Sequence, residues 1–377
     1  MRGSVMRRGK SWSYVVYLGR DIQGRKRQKW KGGFATKRAA EDALTELLER
    51  VRTGNYVDAG RRTVKEFLAE WLTVTTPRLR PSTAFSYSAV VTRNLSPRIG
   101  HVRLDQLGPL HISELHYDLA TNGRMSGRGG LWTRSVIYAH RILSNALGDA
   151  VRWGLIMRNP ATLVSPPRLV TPEMQVWSAE DARRFLDAVS GDRLYAMWML
   201  FVMTGMRRGE VLGLRWQDVD LAAGRIAVRQ TLVEVAYEVH FSEPKTKRSR
   251  RTVSIDGVTG SVIAAHRERQ DKERLTLGAL EKDLLFVQPD GRPLQPQNVS
   301  QAFGNLVRRL GLPPIRLHDL RHTSATLALS AGIHPKVVSE RLGHSSIAIT
   351  LDTYSHVVPG LQEAAASTLA SLVLGPD

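Results

Sequence analysis

Residues Leu317 to Val358, LHDLRHTSATLALSAGIHPKVVSERLGHSSIAITLDTYSHVV, decide how this chain is read. His318 and Arg321 stand three residues apart, so a helix puts them on one face. Gly332 stops that helix, and Pro335 sits where a new one can begin. Gly343 closes the second helix just before His344, and a last short helix carries Tyr354, ten residues further on. Two imidazoles, a guanidinium and a phenol on successive short helices suit one anion, and phosphate is the obvious candidate. His318 and His322 at i, i+4 could instead ligate zinc. Yet no third ligand follows at a familiar spacing, and Arg321 between them repels a cation.

The chain has 377 residues, enough for two or three domains. It contains no cysteine, which removes disulfides and Cys-ligated zinc and fits a reducing cytoplasm. The basic N-terminus lacks the apolar core of a signal peptide. The longest apolar run, Leu194 to Met206, is 13 residues, too short for a bilayer and right for a buried helix. Net charge is +19, unevenly spread: residues 1–60 carry +8, residues 61–170 carry +9, and residues 171–377 only +2. Such a skew points to N-terminal parts that grip a polyanion.

Along the chain, residues 10–34 read as short strands with a turn at Asp21–Gly24 and a basic second strand, Arg25 to Trp30. Thr36 caps a helix to about Arg52, and Gly54-Asn55 ends it. A small basic sheet backed by one helix suits the major groove, which admits a β-ribbon. Residues 61–165 read as helical: a segment capped by Thr63, another from Ser82, His111 to Leu119, and Thr133 to Trp153. Pro166, Pro167 and Pro172 mark a linker. Beyond it the pattern is mixed α/β. Ser178 caps a helix, the apolar run follows, and strands are predicted at Arg225–Val228, Glu238–Phe241 and Arg251–Ile255. Pro244–Arg251 reads as a basic hairpin tip, 259–275 and 296–310 as helices, and 361–374 as an apolar terminal helix. The tryptophans are expected mostly in cores.

These motifs resemble those of the tyrosine recombinases, specifically the lambda-type integrases of phages and mobile elements. Thr204-Gly-Met-Arg207-Arg-Gly-Glu210 is similar to the family's first arginine box, and Pro244–Val253, containing Lys245, to its lysine hairpin. Leu317–Thr323 with Leu342-Gly-His344 is similar to the second box, and Asp352–His356 to the nucleophile box. The order and spacing of the four make the likeness specific. The resemblance covers nearly the whole chain and implies a multidomain fold. Residues 1–58 would form a small β-sheet plus helix that binds arm-type DNA, and 61–165 an all-α core-binding domain. Residues 172–377 would form a mixed, mainly α, catalytic domain with a C-terminal exchange helix.

The implied activity is site-specific DNA integration and excision. Tyr354 would attack a DNA phosphate, leaving a 3′-phosphotyrosine and a free 5′-hydroxyl. Arg207 and Arg321 would offer planar forks to the charged non-bridging oxygens. His318 would take or return the tyrosine proton, His344 would donate a hydrogen bond to the phosphate, and Lys245 would protonate the leaving oxygen. Lys247 competes with Lys245 for that role, Glu210 holds Arg207 or its helix, and His356 has no assigned role. No cofactor or metal is implied. The implied partners are double-stranded core and arm attachment sites and a homotetramer on DNA, in a bacterial cytoplasm at the nucleoid, with no membrane. An excisionase and a DNA-bending host factor are implied by resemblance alone. Two rivals remain at this point: a helix-turn-helix regulator that cuts nothing, and a type IB topoisomerase-like relaxing enzyme. The separate N-terminal unit argues against the latter.

Overall fold

The computed structural model describes residues 3–20, 24, 26–52, 62–125, 128–169, 174–243, 249–277, 283–354 and 361–375. The turn expected at Asp21–Gly24, the helix end at Gly54-Asn55, the linker proline Pro172 and most of the basic tip lie wholly or partly outside these residues. The chain divides into two compact units, Met1–Thr171 and Pro172–Asp377.

The first unit begins with an antiparallel sheet in the order β1 (Gly3–Arg8), β2 (Ser11–Arg20), β3 (Lys26–Phe34). The sequence reading missed β1, because GSVMRR is too short and too charged to show alternation. Its register is nevertheless regular, from Gly3 opposite Val16 to Arg8 opposite Ser11. Tyr14 and Val16 turn inward onto Leu44 and Leu47 of α1 (Lys37–Arg52), which forms a small core with Val5, Phe34 and Leu48. The outer face exposes Tyr17 and Trp30, with the Arg8 guanidinium 4.8 Å from the Trp30 ring centre.

The helical part comprises α2 (Val64–Thr75), α3 (Pro81–Val90), α4 (Ser96–Ile99), α5 (Pro109–Asn122) and α6 (Thr133–Arg152). Thr63 caps α2 as predicted: its hydroxyl accepts from the Glu66 amide, and the Glu66 carboxylate accepts from the Thr63 amide. The helix expected from Ser82 starts at Pro81, whose fixed φ suits a first helical position. A π turn, Val91–Leu95, joins α3 to α4. Phe67, Trp71, Leu95, Leu119, Leu143 and Leu147 fill the core, where Trp71 Nε1 donates to Asp149 at 2.7 Å. Tryptophans outside the cores correct the expectation: Trp30, Trp132 and Trp153 are exposed.

The second unit is built around α8 (Tyr195–Thr204), of which Ala196 to Val202 are all buried. A helix buried on every side shows no polar stripe, which is why its sequence is a plain apolar run. Trp198 and Phe201 of α8 form an aromatic cluster with Trp177, Phe303 and Phe185 of α7 (Ala179–Ala188), with ring centres 5.2–6.2 Å apart. After α9 (Arg208–Leu212) come β4 (Val219–Asp220), β5 (Arg225–Val228), β6 (Thr231–Val235), β7 (Glu238–Ser242) and β8 (Arg251–Ser254). They form two sheets, an antiparallel β4-β5-β8 sheet and a separate β6-β7 hairpin. The hairpin turn takes positive φ at Ala236 (53°) and Tyr237 (69°), so nothing in its residue types advertised it. The helices α10 (Gly257–Leu277), α11 (Pro296–Arg309), α12 (Asp319–Ser330), α13 (Pro335–Leu342), α14 (Ile347–Tyr354) and α15 (Leu361–Leu374) complete the unit. Among the described residues no helix is long and apolar enough to cross a membrane.

Candidate active site

Gly205 explains how the first arginine box meets the second. It ends α8 with φ of 61°, a left-handed conformation that glycine adopts without strain. A Cβ there would lie 2.7 Å from Leu342 Cδ2 and 3.3 Å from Ser324, so α12 and α13 close onto bare backbone. Arg321 Nη1 then donates to the Gly205 carbonyl at 2.9 Å, two residues before Arg207. Arg321 is nearly buried at 4% exposure, whereas the Arg207 side chain is 39% exposed. One guanidinium forms the floor and the other a wall.

Arg207 is held from two directions. Its Nη1 donates to Glu210 Oε1 at 2.8 Å and its backbone amide to Oε2 at 2.9 Å, the role expected of Glu210. Its Nη2 reaches the Gly343 carbonyl at 3.2 Å, which brings it beside His344. Gly343 caps α13 in the left-handed conformation (φ 68°), as predicted, and so turns His344 out of the helix. His344 Nδ1 lies 2.8 Å from Thr350 Oγ1, which is fully buried on α14. A hydroxyl donating to Nδ1 puts the ring proton on Nε2, where it can serve a ligand oxygen.

His318 is the N-cap of α12 rather than a residue of its first turn. Behind it, buried Asp319 accepts from Arg316 at 2.8 and 3.0 Å, which locks the start of the helix. Neighbouring bulk, then the His322 ring and the Arg321 charge, push the His318 imidazole down to about 4. The residue keeps an exposed side, so solvent screens part of this. Its direction leaves the ring neutral at pH 7 and able to accept a proton. Burial, then the charges of Arg321 and Arg207, push His344 down to about 4 as well. Both cations therefore act on both imidazoles, and the structure brings Arg207, His318, Arg321 and His344 into one site. His318 and His322 meet edge to face, 5.5 Å between ring centres. Among the described residues no three His, Asp or Glu side chains cluster as a metal site would need.

Tyr354 is the last residue of α14, one turn beyond Thr350. Its side chain, and Lys245, Lys247 and His356 entirely, lie outside the described residues. Two residues of the site escaped the sequence reading. Thr350 stands four before Tyr354, a spacing that hints at a shared helix face but not at a bond to His344. Arg251 falls inside the quoted lysine motif, yet nothing there showed that it folds back onto Glu210, at 2.9 and 3.1 Å.

Residues 175–359 match the model of the phage integrase family. Residues 4–51 match that of an arm DNA-binding domain, and 63–120 that of a phage integrase N-terminal SAM-like domain. A tyrosine recombinase XerC-like protein of Caldanaerobacter subterraneus subsp. tengcongensis is 29% identical over 394 residues, covering 98% of this chain and 99% of that one. The ICEBs1 integrase of Bacillus subtilis is 30% identical over 247 residues, 65% of this chain and 67% of its own. This chain belongs to the phage integrase family. As an integrase of this family it is an enzyme, a tyrosine site-specific recombinase of mobile elements. The regulator and topoisomerase-like readings are not favoured. Solved integrases share the fold. The Tn1549 transposon integrase in complex with a circular intermediate DNA superposes with a TM-score of 0.69 and 22% identity, covering 82% of this chain and 100% of that one. A lambda integrase from a tetramer bound to a Holliday junction gives 0.57 and 19%, covering 91% and 95%.

Proposed function

We propose that this integrase cuts and rejoins duplex DNA at the attachment sites of a phage or mobile element, with Tyr354 as nucleophile. The tyrosine oxygen bonds to the scissile phosphorus, the 5′-oxygen leaves, and a 3′-phosphotyrosine holds the strand. One phosphoester replaces another, so no external energy source is consumed. Arg207 and Arg321 stabilise the charge that builds on the non-bridging oxygens, and His344 donates to one of them through Nε2–H. His318 receives the tyrosine proton, and the approaching phosphate charge favours the protonated ring. Lys245 or Lys247 returns a proton to the leaving 5′-oxygen.

The observation that carries this reading is the gathering of two guanidiniums and two imidazoles in one site, where one imidazole, His344, is bonded to Thr350 on the helix that ends at Tyr354. The basic skew of residues 1–170 supports division of labour: 1–58 for arm sites, 61–165 for the core site, 172–377 for chemistry. Residues Leu369, Leu372, Val373 and Leu374 of α15 are exposed apolar side chains, which fits a helix exchanged between protomers of a DNA-bound tetramer. An excisionase and a bending host factor remain part of the proposal as accessory partners. The test uses a nicked duplex carrying the junction sequence recovered from the excised circular element. A denaturant-resistant protein–DNA adduct at that junction, absent on scrambled duplex, is the expected result; binding without any adduct refutes the proposal.

A further inference from the structure

Arg251 is a buried cation near the site that the chemistry above does not use. Its side chain is 7% exposed and that of its partner Glu210 is 4% exposed. Arg251 Nη1 and Nη2 fork onto the two Glu210 oxygens at 3.1 and 2.9 Å, and its Nε donates to the Arg341 carbonyl at 2.6 Å. The same guanidinium occupies the space a Gly343 side chain would need: a Cβ there would lie 2.9 Å from Arg251 Nη1. Arg251 also opens β8, the strand that leaves the lysine-bearing segment. One side chain therefore ties together the first arginine box, the end of α13 that presents His344, and the base of the lysine segment.

Charge makes the tie consequential. Glu210 accepts from Arg207 as well, so the carboxylate is buried between one buried and one part-exposed guanidinium, and the three carry a net charge of +1. Burial alone would raise the Glu210 carboxyl, but the Arg251 hydrogen bonds and charge, then Arg207, hold it below the usual range. Without Arg251 the remaining Arg207–Glu210 pair is net neutral, and the wall of the site no longer offers a free positive charge to phosphate. We propose that Arg251 is a positioning residue that neutralises Glu210, so that Arg207 keeps its full charge for the scissile phosphate. The inference rests on the assignment of Arg207 made above.

The test is single-turnover adduct formation on the nicked junction duplex, with binding of the same duplex measured in parallel. Arg251→Met is expected to lower the cleavage rate about 100-fold, the loss typical of a misplaced or cancelled catalytic charge. Duplex affinity should change by no more than about threefold, since Arg251 is buried away from solvent. Arg251→Lys, which keeps the charge, should retain more than about a tenth of the wild-type rate. The deciding variant is Arg251→Met combined with Glu210→Gln, which restores a net charge of +1. It should recover at least about tenfold over Arg251→Met alone. A double variant no faster than the single one overturns charge balance, as does an Arg251→Met rate within about threefold of wild type. If the wild-type protein itself forms no adduct, the proposed function fails, and the inference with it.

Discussion

Replacing Thr350 by Val removes one hydroxyl and almost no volume from a fully buried position. The packing of α14 should survive, so the change isolates the bond to His344 Nδ1, at 2.8 Å. Losing a hydrogen bond and leaving a half-buried ring nitrogen without it costs about 1–3 kcal/mol. The domain should therefore unfold a few degrees lower but cooperatively. The rate should suffer more than the stability. Without the hydroxyl the His344 ring is free to rotate and to place its proton on Nδ1, which withdraws the Nε2–H donor from the phosphate. Complete loss of such a donor costs about 100- to 1,000-fold. A loosened ring still donates part of the time, so about 10- to 100-fold is the expected fall in adduct formation. Thr350→Ser, which restores the hydroxyl, should recover most of it. Paired measurements of thermal unfolding and single-turnover cleavage decide the matter. A Val variant that cleaves at the wild-type rate would refute the claim that Thr350 sets the His344 tautomer.

Three further outcomes follow from the same geometry. His318 and His344 are both held below the ordinary imidazole value, to about 4, so the unfolded chain binds more protons than the folded one between about pH 6.5 and 4. Their stabilising contribution is complete above pH 6.5 and is lost as pH falls through that window; His318→Gln should lose less stability than wild type between about pH 6.5 and 5, and an unchanged pH dependence would count against a depressed imidazole. Lys245→Ala should cleave at least about 100-fold slower on ordinary DNA and recover on DNA whose 5′-bridging oxygen is sulfur, a leaving group that needs no proton; if only Lys247→Ala behaves this way, the acid is Lys247. Removing residues 361–377 should impair assembly of four protomers on junction DNA more than binding to a single site, given the exposed Leu369, Leu372, Val373 and Leu374; an unchanged assembly profile in analytical ultracentrifugation sinks the exchange-helix assignment.

The local grammar of the chain was legible wherever one residue decides one backbone event. Thr63 and Ser178 cap their helices through capping boxes, and Gly332 and Gly343 adopt the left-handed conformation past helix ends. The apolar run before Thr204 is the buried α8. What could not be read depends on neighbours distant in sequence. Strand β1 is short and charged, and is a strand because β2 pairs with it. The β6-β7 hairpin turns through Ala236 and Tyr237, which carry no turn signature. In the site, the types Arg, His and Tyr and their order were visible, whereas their supports were not. Arg251 reaches Glu210 across 41 positions, and Arg207 reaches the Gly343 carbonyl across 136. His318 sits at a helix N-cap, a difference of one residue that propensity alone does not resolve.

Tyr354, at the end of α14, is proposed to supply the oxygen of the covalent bond to DNA. Tyr354→Phe removes only the phenolic oxygen. Incubated with the nicked junction duplex, the Phe variant should bind as tightly as wild type and form no denaturant-resistant adduct. Digestion of the wild-type adduct should leave the nucleotide on the peptide containing Tyr354. An adduct formed by the Phe variant, or a nucleotide recovered on any other tyrosine, would contradict it.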